Sequence, residues 1–243
     1  ILSSAEKFAA IKGYNLLIAQ SFEDVEKEKA NLKMMLDKRV DGLMVSVAQN
    51  SKNFSHYNIL KQFKTPVVFF DRVVNTLDNT KFIIDNYLAA FNATKHLIEQ
   101  GCKNLLHVSL NSDIQVYTDR DNGFKAACKQ FGITNKTYFS AHLNIESGQF
   151  VATEIAKQGI KPDGIFFAND SAAVGCIRAL QQNGINVPAD IAIVGFNNDY
   201  YSRIIAPKLT TVNYPAAELG TMVASHLIEQ INGNLSTNVT NQV

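Results

Sequence analysis

The chain has 243 residues, 46% hydrophobic and 19% charged, with a formal net charge of +1. Such a balance belongs to a globular chain with a sizeable core, long enough for one large domain or two lobes. It excludes the clustered basic surface of a nucleic-acid-binding module, and no apolar run reaches the ~20 residues that a membrane span needs.

Taken in chain order, helical patterns alternate with short apolar runs, the pattern of an α/β fold with parallel strands. Residues 1–12 form an amphipathic helix with Leu2, Ala5, Phe8 and Ala9 on one face, ended by Gly13. YNLLIAQ (14–20) is expected as a buried strand, 23–39 as a helix with charges outward, and DGLMVSV (41–47) as the next strand. PVVFF (66–70) and KFIID (81–85) are further strands, followed by a helix through NYLAAFNATKHLIEQG. NLLHVS (104–109) begins a second round, with helices near 119–131, 146–158 and 170–183 and strands at 164–168 and 191–196. Near-continuous apolar strands bounded by helices imply sheets covered on both faces.

The halves echo each other. RVDGLMV (39–45) and KPDGIFF (161–167) both set an Asp-Gly turn before a buried strand, and PVVFFD (66–71) and AIVGFN (192–197) both end a strand on a short polar side chain. Any αβ unit needs a turn there, but two echoes in the same order favour duplicated lobes. Open parallel sheets bind ligands beyond the carboxyl ends of their strands. Two facing lobes would set Asp71 and Asn197 on opposite walls of one cleft.

The polar residues at those strand ends are Gln20, Ser21, Ser46, Asp71, Arg72, Ser109, Asn111, Asn169, Asp170, Asn197 and Asn198, with Arg120 close at hand. Amides, hydroxyls and two arginines suit directional hydrogen bonding to a polar small molecule. They supply no general base with an oriented partner. The five histidines (His56, His96, His107, His142, His226) lack metal spacing, and each is read as a structural or surface residue. Cys102, Cys128 and Cys176 stand far apart without a Cys-x-x-Cys pair, so neither a disulfide framework nor a zinc site is expected. Nucleophile-elbow, phosphate-loop and dinucleotide motifs are missing, which weighs against an enzyme. No cofactor or metal is expected.

FFANDSAAVGCIRALQQNGINVPADIAIVGFNND (166–199), followed by APKLTTVNYPAAELG (206–220), resembles the signature stretch of the lactose-repressor family of bacterial transcriptional regulators. YNLLIAQSFEDVEKE, RVDGLMV, PVVFFDR, IIDN, HLIEQGCKNLLHVS and RDNGF resemble further family segments in the right order, so the likeness spans essentially the whole chain. It implies a periplasmic-binding-protein-like fold of two similar lobes, each a parallel sheet flanked by helices, joined by crossover strands. The N-terminal lobe would comprise 1–102 plus about 215–235, and the C-terminal lobe 103–214 plus about 236–243. It implies a sugar-like effector in the cleft, operator DNA bound through a headpiece absent from this chain, a cytoplasmic location and a homodimer, with helical surfaces such as 53–63 and 215–232 available for pairing. A periplasmic sugar-binding protein of a transporter shares that fold and is the alternative.

By the same resemblance Arg120, in Arg-x-x-Gly-Phe, is an effector contact; its other reading is a solvated charge at a helix start. Asn169 is an effector-contacting position and Asp170 the cap of the following helix. Asn197 stands where the family usually has Asp. Asp71 and Arg72 resemble a sugar-gripping pair, or else serve each other or a helix cap. Tyr214 and Leu143 are placed only by neighbouring motifs, Leu143 where many relatives carry a stacking aromatic. Arg120→Ala is expected to weaken binding while leaving the melting temperature little changed. Three departures accompany the resemblance. The chain opens directly in a helix, without the family's first strand and its loop, and a C-terminal strand is expected beyond residue 243. The first sheet should therefore contain a gap. Asn197 and Leu143, finally, depart from the usual sugar pocket.

Overall fold

The structure is a computed structural model describing all residues except 50, 52, 64, 159–161 and 235–238. It divides into two units. Residues 1–85, 113–115 and 215–243 form the first, and 86–112 with 116–214 the second.

In the first unit, helices α1 (Leu2–Ile11) and α2 (Val25–Asp37) precede strand β1 (Leu43–Val45), a 3₁₀ segment Ser55–Gln62, and strands β2 (Val67–Phe70) and β3 (Thr80–Ile83). The second unit contributes α3 (Asn86–Glu99), β4 (Asn104–Leu110), α4 (Gln115–Phe131), β5 (Thr134–Ser140), α5 (Ile145–Gln158), β6 (Gly164–Phe167), α6 (Asp170–Gln182), β7 (Ala192–Asn197), α7 (Tyr200–Ile204) and β8 (Thr210–Asn213). Helix α8 (Ala216–Ile231) and strand β9 (Thr240–Gln242) return to the first. Both sheets are parallel throughout, ordered β1-β2-β3-β9 and β5-β4-β6-β7-β8.

The expected lobe boundaries shift. Helix α3 belongs with the second unit, because its buried face (Ala90, Ala93, Thr94, Leu97) packs on β6, β7 and β8. The expected boundary at 235/236 lies outside the described residues. Residues 240–242, assigned from sequence to the C-terminal lobe, pair instead with β3 of the first sheet.

YNLLIAQ is not a strand. Residues 14–20 join no ladder, and Leu17 and Ile18 are exposed. Apolar composition alone does not make a strand; the backbone needs a hydrogen-bonding neighbour. Between this segment and β1 there is instead a groove of about 730 Å³, floored by Leu32, Val223 and Leu227. The first sheet itself is continuous, with β1 at its edge.

The Asp-Gly echo has a packing reason in each unit. A Cβ on Gly42 would lie 2.8 Å from Leu227 Cδ1, and one on Gly164 2.6 Å from Leu105 Cδ2. Asp163, beside Gly164, accepts from the backbone N–H groups of Lys103 and Asn104 at 2.7 and 2.8 Å, fastening the turn to the start of β4. Lys161, which opens the second echo, lies outside the described residues.

The second unit's core centres on α6, buried along nearly its whole length against Val108, Val151, Ile155, Ile165 and Ile193. Helices α5 and α6 meet at glycines on both sides. A Cβ on Gly148 would fall 1.9 Å from the carbonyl oxygen of Ala172, and one on Gly175 2.1 Å from that of Ile145.

His107, on β4, is fully buried, stacked on Phe166 at 4.7 Å, with Nδ1 2.9 Å from the Phe166 carbonyl. Burial pushes its pKa down to about 4. An unfolded histidine titrates near 6.5, so between pH 6.5 and 4 the unfolded chain binds a proton that the folded one refuses. This contribution to stability is therefore present above pH 6.5 and lost as the pH falls toward 4. The urea midpoint is expected to fall over that window in wild type and to fall less steeply in His107→Phe; equal slopes would contradict it.

Candidate functional site

Five of the seven sequence-derived site residues gather at the carboxyl-end rim of the second unit's sheet. Arg120 lies in the second turn of α4, which begins a full turn earlier than expected. It is only 4% exposed, so it is not a solvated charge. Its Nε donates to Asn86 Oδ1 at 2.9 Å and its Nη1 to the carbonyl of Ala168 at 2.6 Å. The guanidinium lies 3.5 Å over the ring of Phe196, a cation–π contact strengthened by removal from water. Arg120 thus touches the residues immediately before Asn169 and Asn197, and draws the ends of β6 and β7 toward one guanidinium.

Asn169 is the N-cap of α6. Its Oδ1 accepts from Ala172 N–H at 3.0 Å while its Nδ2 donates to the carbonyl of Leu143 at 2.7 Å. The helix-capping role expected of Asp170 therefore belongs to Asn169, whose extended backbone aims its amide at the first turn. Leu143 is half-buried against the core and enters the rim through its carbonyl. Asn197 ends β7 with φ 121°, and Asn198 follows at 55°. The Asn197 carbonyl accepts from Tyr214 N–H at 3.3 Å, the contact by which Tyr214 joins the rim. Among the described residues the Asn197 side chain makes no hydrogen bond, in contrast to that of Asn198, which donates to Asn213 Oδ1 at 2.8 Å.

Asp71 and Arg72 occupy the matching strand end in the first unit. Asp71, like Asn197, is a non-glycine residue in the left-handed region, with φ 59°. Arg72 Nη1 donates to both carboxylate oxygens of Glu23 at 3.0 Å, and Glu23 also accepts from Gln49 N–H at 2.7 Å. Glu23, at φ 63°, was not picked out from sequence, nor were Asn86, Phe196 and Thr211. Asn86 had one signal, its place in IIDN. Asp170 is fully buried, and burial raises its carboxyl pKa. Among the described residues no cluster of three His, Cys, Asp or Glu side chains could hold a metal ion. No helix of the described residues is long and apolar enough to cross a membrane.

Two parallel sheets, each in its own unit and each with polar, positive-φ residues at a strand end, define a ligand-binding domain of the periplasmic-binding-protein class. A family model described as "Periplasmic binding protein-like domain" matches residues 94–242. The chain is 31% identical over 229 residues to the ribose operon repressor of Halalkalibacterium halodurans, covering 94% of this chain and 67% of that protein. It is 31% identical over 235 residues to the HTH-type transcriptional repressor PurR of Pectobacterium atrosepticum, covering 95% and 68%. The solved structure of a periplasmic binding protein/LacI transcriptional regulator from Alkaliphilus metalliredigens, complexed with D-xylulofuranose, superposes with a TM-score of 0.85 at 28% identity, over 99% of this chain and 89% of that one. The chain belongs to the lactose-repressor family of transcriptional regulators, of which it is an effector-sensing core.

Proposed function

We propose that the effector is a small neutral polyhydroxyl molecule of the sugar class, contacted by Arg120, Asn169, Asn197, Leu143 and Tyr214 on the second unit. Asp71 and Arg72 are proposed as effector contacts at the first unit's strand end. The observation that carries this reading is the buried Arg120 guanidinium, held against Phe196 and joined to the ends of β6 and β7. A charge kept out of water, at the same sheet rim as an Asn197 amide that makes no hydrogen bond among the described residues, suits an array of hydroxyls. A relative named a ribose operon repressor and a neighbour solved with D-xylulofuranose support that class. Effector binding would act on operator DNA through a headpiece outside this chain, in a cytoplasmic homodimer without catalytic activity. A two-fold regulator reads two half-sites, and a net charge of +1 gives this core no electrostatic purchase on DNA.

Calorimetric titration against D-ribose, D-xylulose, sugar acids and sugar phosphates tests the reading. Saturable binding of a neutral sugar is expected; binding of sugar phosphates alone, or of none, would overturn it. Asn197→Asp should then shift preference toward neutral polyhydroxyls over anionic ligands by roughly tenfold or more, since a carboxylate accepts from hydroxyls and repels a second negative charge. An unchanged ratio would remove Asn197 from the site.

A further inference from the structure

We infer that Asp170 is the positioning residue of the effector site, its carboxylate fixing the left-handed turn at Asn197 and Asn198 that presents the Asn197 amide. Its first support is a role left vacant. Asp170 stands in the first turn of α6, but Asn169 already caps that helix. Asp170 turns instead toward β7 and β8, fully buried and in no salt bridge among the described residues. Its Oδ2 accepts from Asp199 N–H at 2.8 Å and its Oδ1 from the Thr211 hydroxyl at 2.6 Å, with the Phe196 amide also directed at the carboxylate.

The second support is the turn itself. Two consecutive non-glycine residues at positive φ persist only where the surroundings over-determine them. Here Asp170 grips the turn from below at Asp199, and Thr211 accepts from Asn198 N–H at 3.3 Å. Arg203 donates to the Asn198 side chain and carbonyl at 3.1 and 3.2 Å. Every one of these bonds engages Asn198 or its neighbour and leaves the Asn197 side chain out.

The third support links separate sequence segments. Phe-Ala-Asn-Asp, Ile-Val-Gly-Phe and Leu-Thr-Thr-Val meet at this one node. Gly195 completes it, because a Cβ there would lie 2.2 Å from Asp170 Oδ1 and displace the carboxylate.

The role given to Asn197 rests on the effector reading above, whereas the fixing of the turn does not, so two readouts are needed. Backbone amide exchange at 196–199 in the full chain reports the turn, and calorimetry with D-ribose and D-xylulose reports the site. Thr211→Val removes one donor at nearly constant volume, and Asp170→Asn disturbs the carboxylate without removing the side chain. Both are expected to speed exchange at Asn198 and Asp199 at least tenfold while β4 amides keep their protection. Both should weaken binding of whichever sugar wild type takes at least tenfold, and Thr211→Ser should restore both properties. Unchanged exchange at the turn overturns the inference. So does a loosened turn with undiminished affinity. If wild type binds neither sugar the effector class is wrong, and the exchange data still decide whether Asp170 fixes the turn.

Discussion

Arg120→Ala is expected to lose roughly ten- to a hundredfold in effector affinity and also about 2–3 kcal/mol of folding stability. The second half differs from what sequence alone suggests. A solvated arginine would leave the melting temperature unchanged on truncation, but this one is buried, with two donors committed to Asn86 and Ala168. Truncation removes one donor from each of these acceptors and a guanidinium face from Phe196. Each buried acceptor stripped of its partner costs about 1–3 kcal/mol, with entering water recovering part. Urea unfolding of the free protein and calorimetry of the complex separate the two losses. A variant of wild-type stability would mean that the guanidinium is replaceable by solvent.

Gly175→Ala is expected to destabilise by about 2–3 kcal/mol, lowering the melting temperature by roughly 5–10 °C. Helix propensity runs the other way, since alanine in a helix interior is favoured over glycine by about 1 kcal/mol. Packing decides the sign. The new methyl would lie 2.1 Å from the Ile145 carbonyl oxygen, which is backbone and has no rotamer by which to retreat. Helix α5 must move bodily, disturbing the seat of its own Val151 and Ile155 in the core. Gln182→Ala, exposed on the same helix, should be neutral. Equal melting temperatures for the two variants would show that α5 and α6 slide freely.

Much of the fold was legible because its strands are apolar runs between amphipathic helices. What escaped did so for identifiable reasons. β5 (TNKTYFS) is a largely exposed edge strand without an apolar run, and β9 is short and polar. YNLLIAQ has the composition of a strand but no partner, which no local pattern reports. The rim was legible only as strand-end polar residues brought together by family resemblance. Arg120, Asn169 and Asn197 do converge, yet the division of labour between Asn169 and Asp170 depends on where each side chain turns. Both are good capping residues, and sequence cannot choose between them. Asn86 and Phe196 lay hidden for a related reason: one reads as a helix start and the other as core.

The left-handed backbone at Asp71 in the first unit, and at Asn197 and Asn198 in the second, limits the mutational alphabet of these strand ends. Side chains branched at Cβ are sterically disfavoured there, and asparagine, aspartate and glycine are the residues that enter such conformations at least cost. A lineage adapting to a new inducer can therefore exchange amide for acid at these points at nearly constant shape, retuning charge while the scaffold stays put. Changes of size would come from proposed contact positions such as Leu143, whose backbone carries no such restriction. A saturation library built on this core would accordingly recover charge variants from the strand ends and shape variants from the loops.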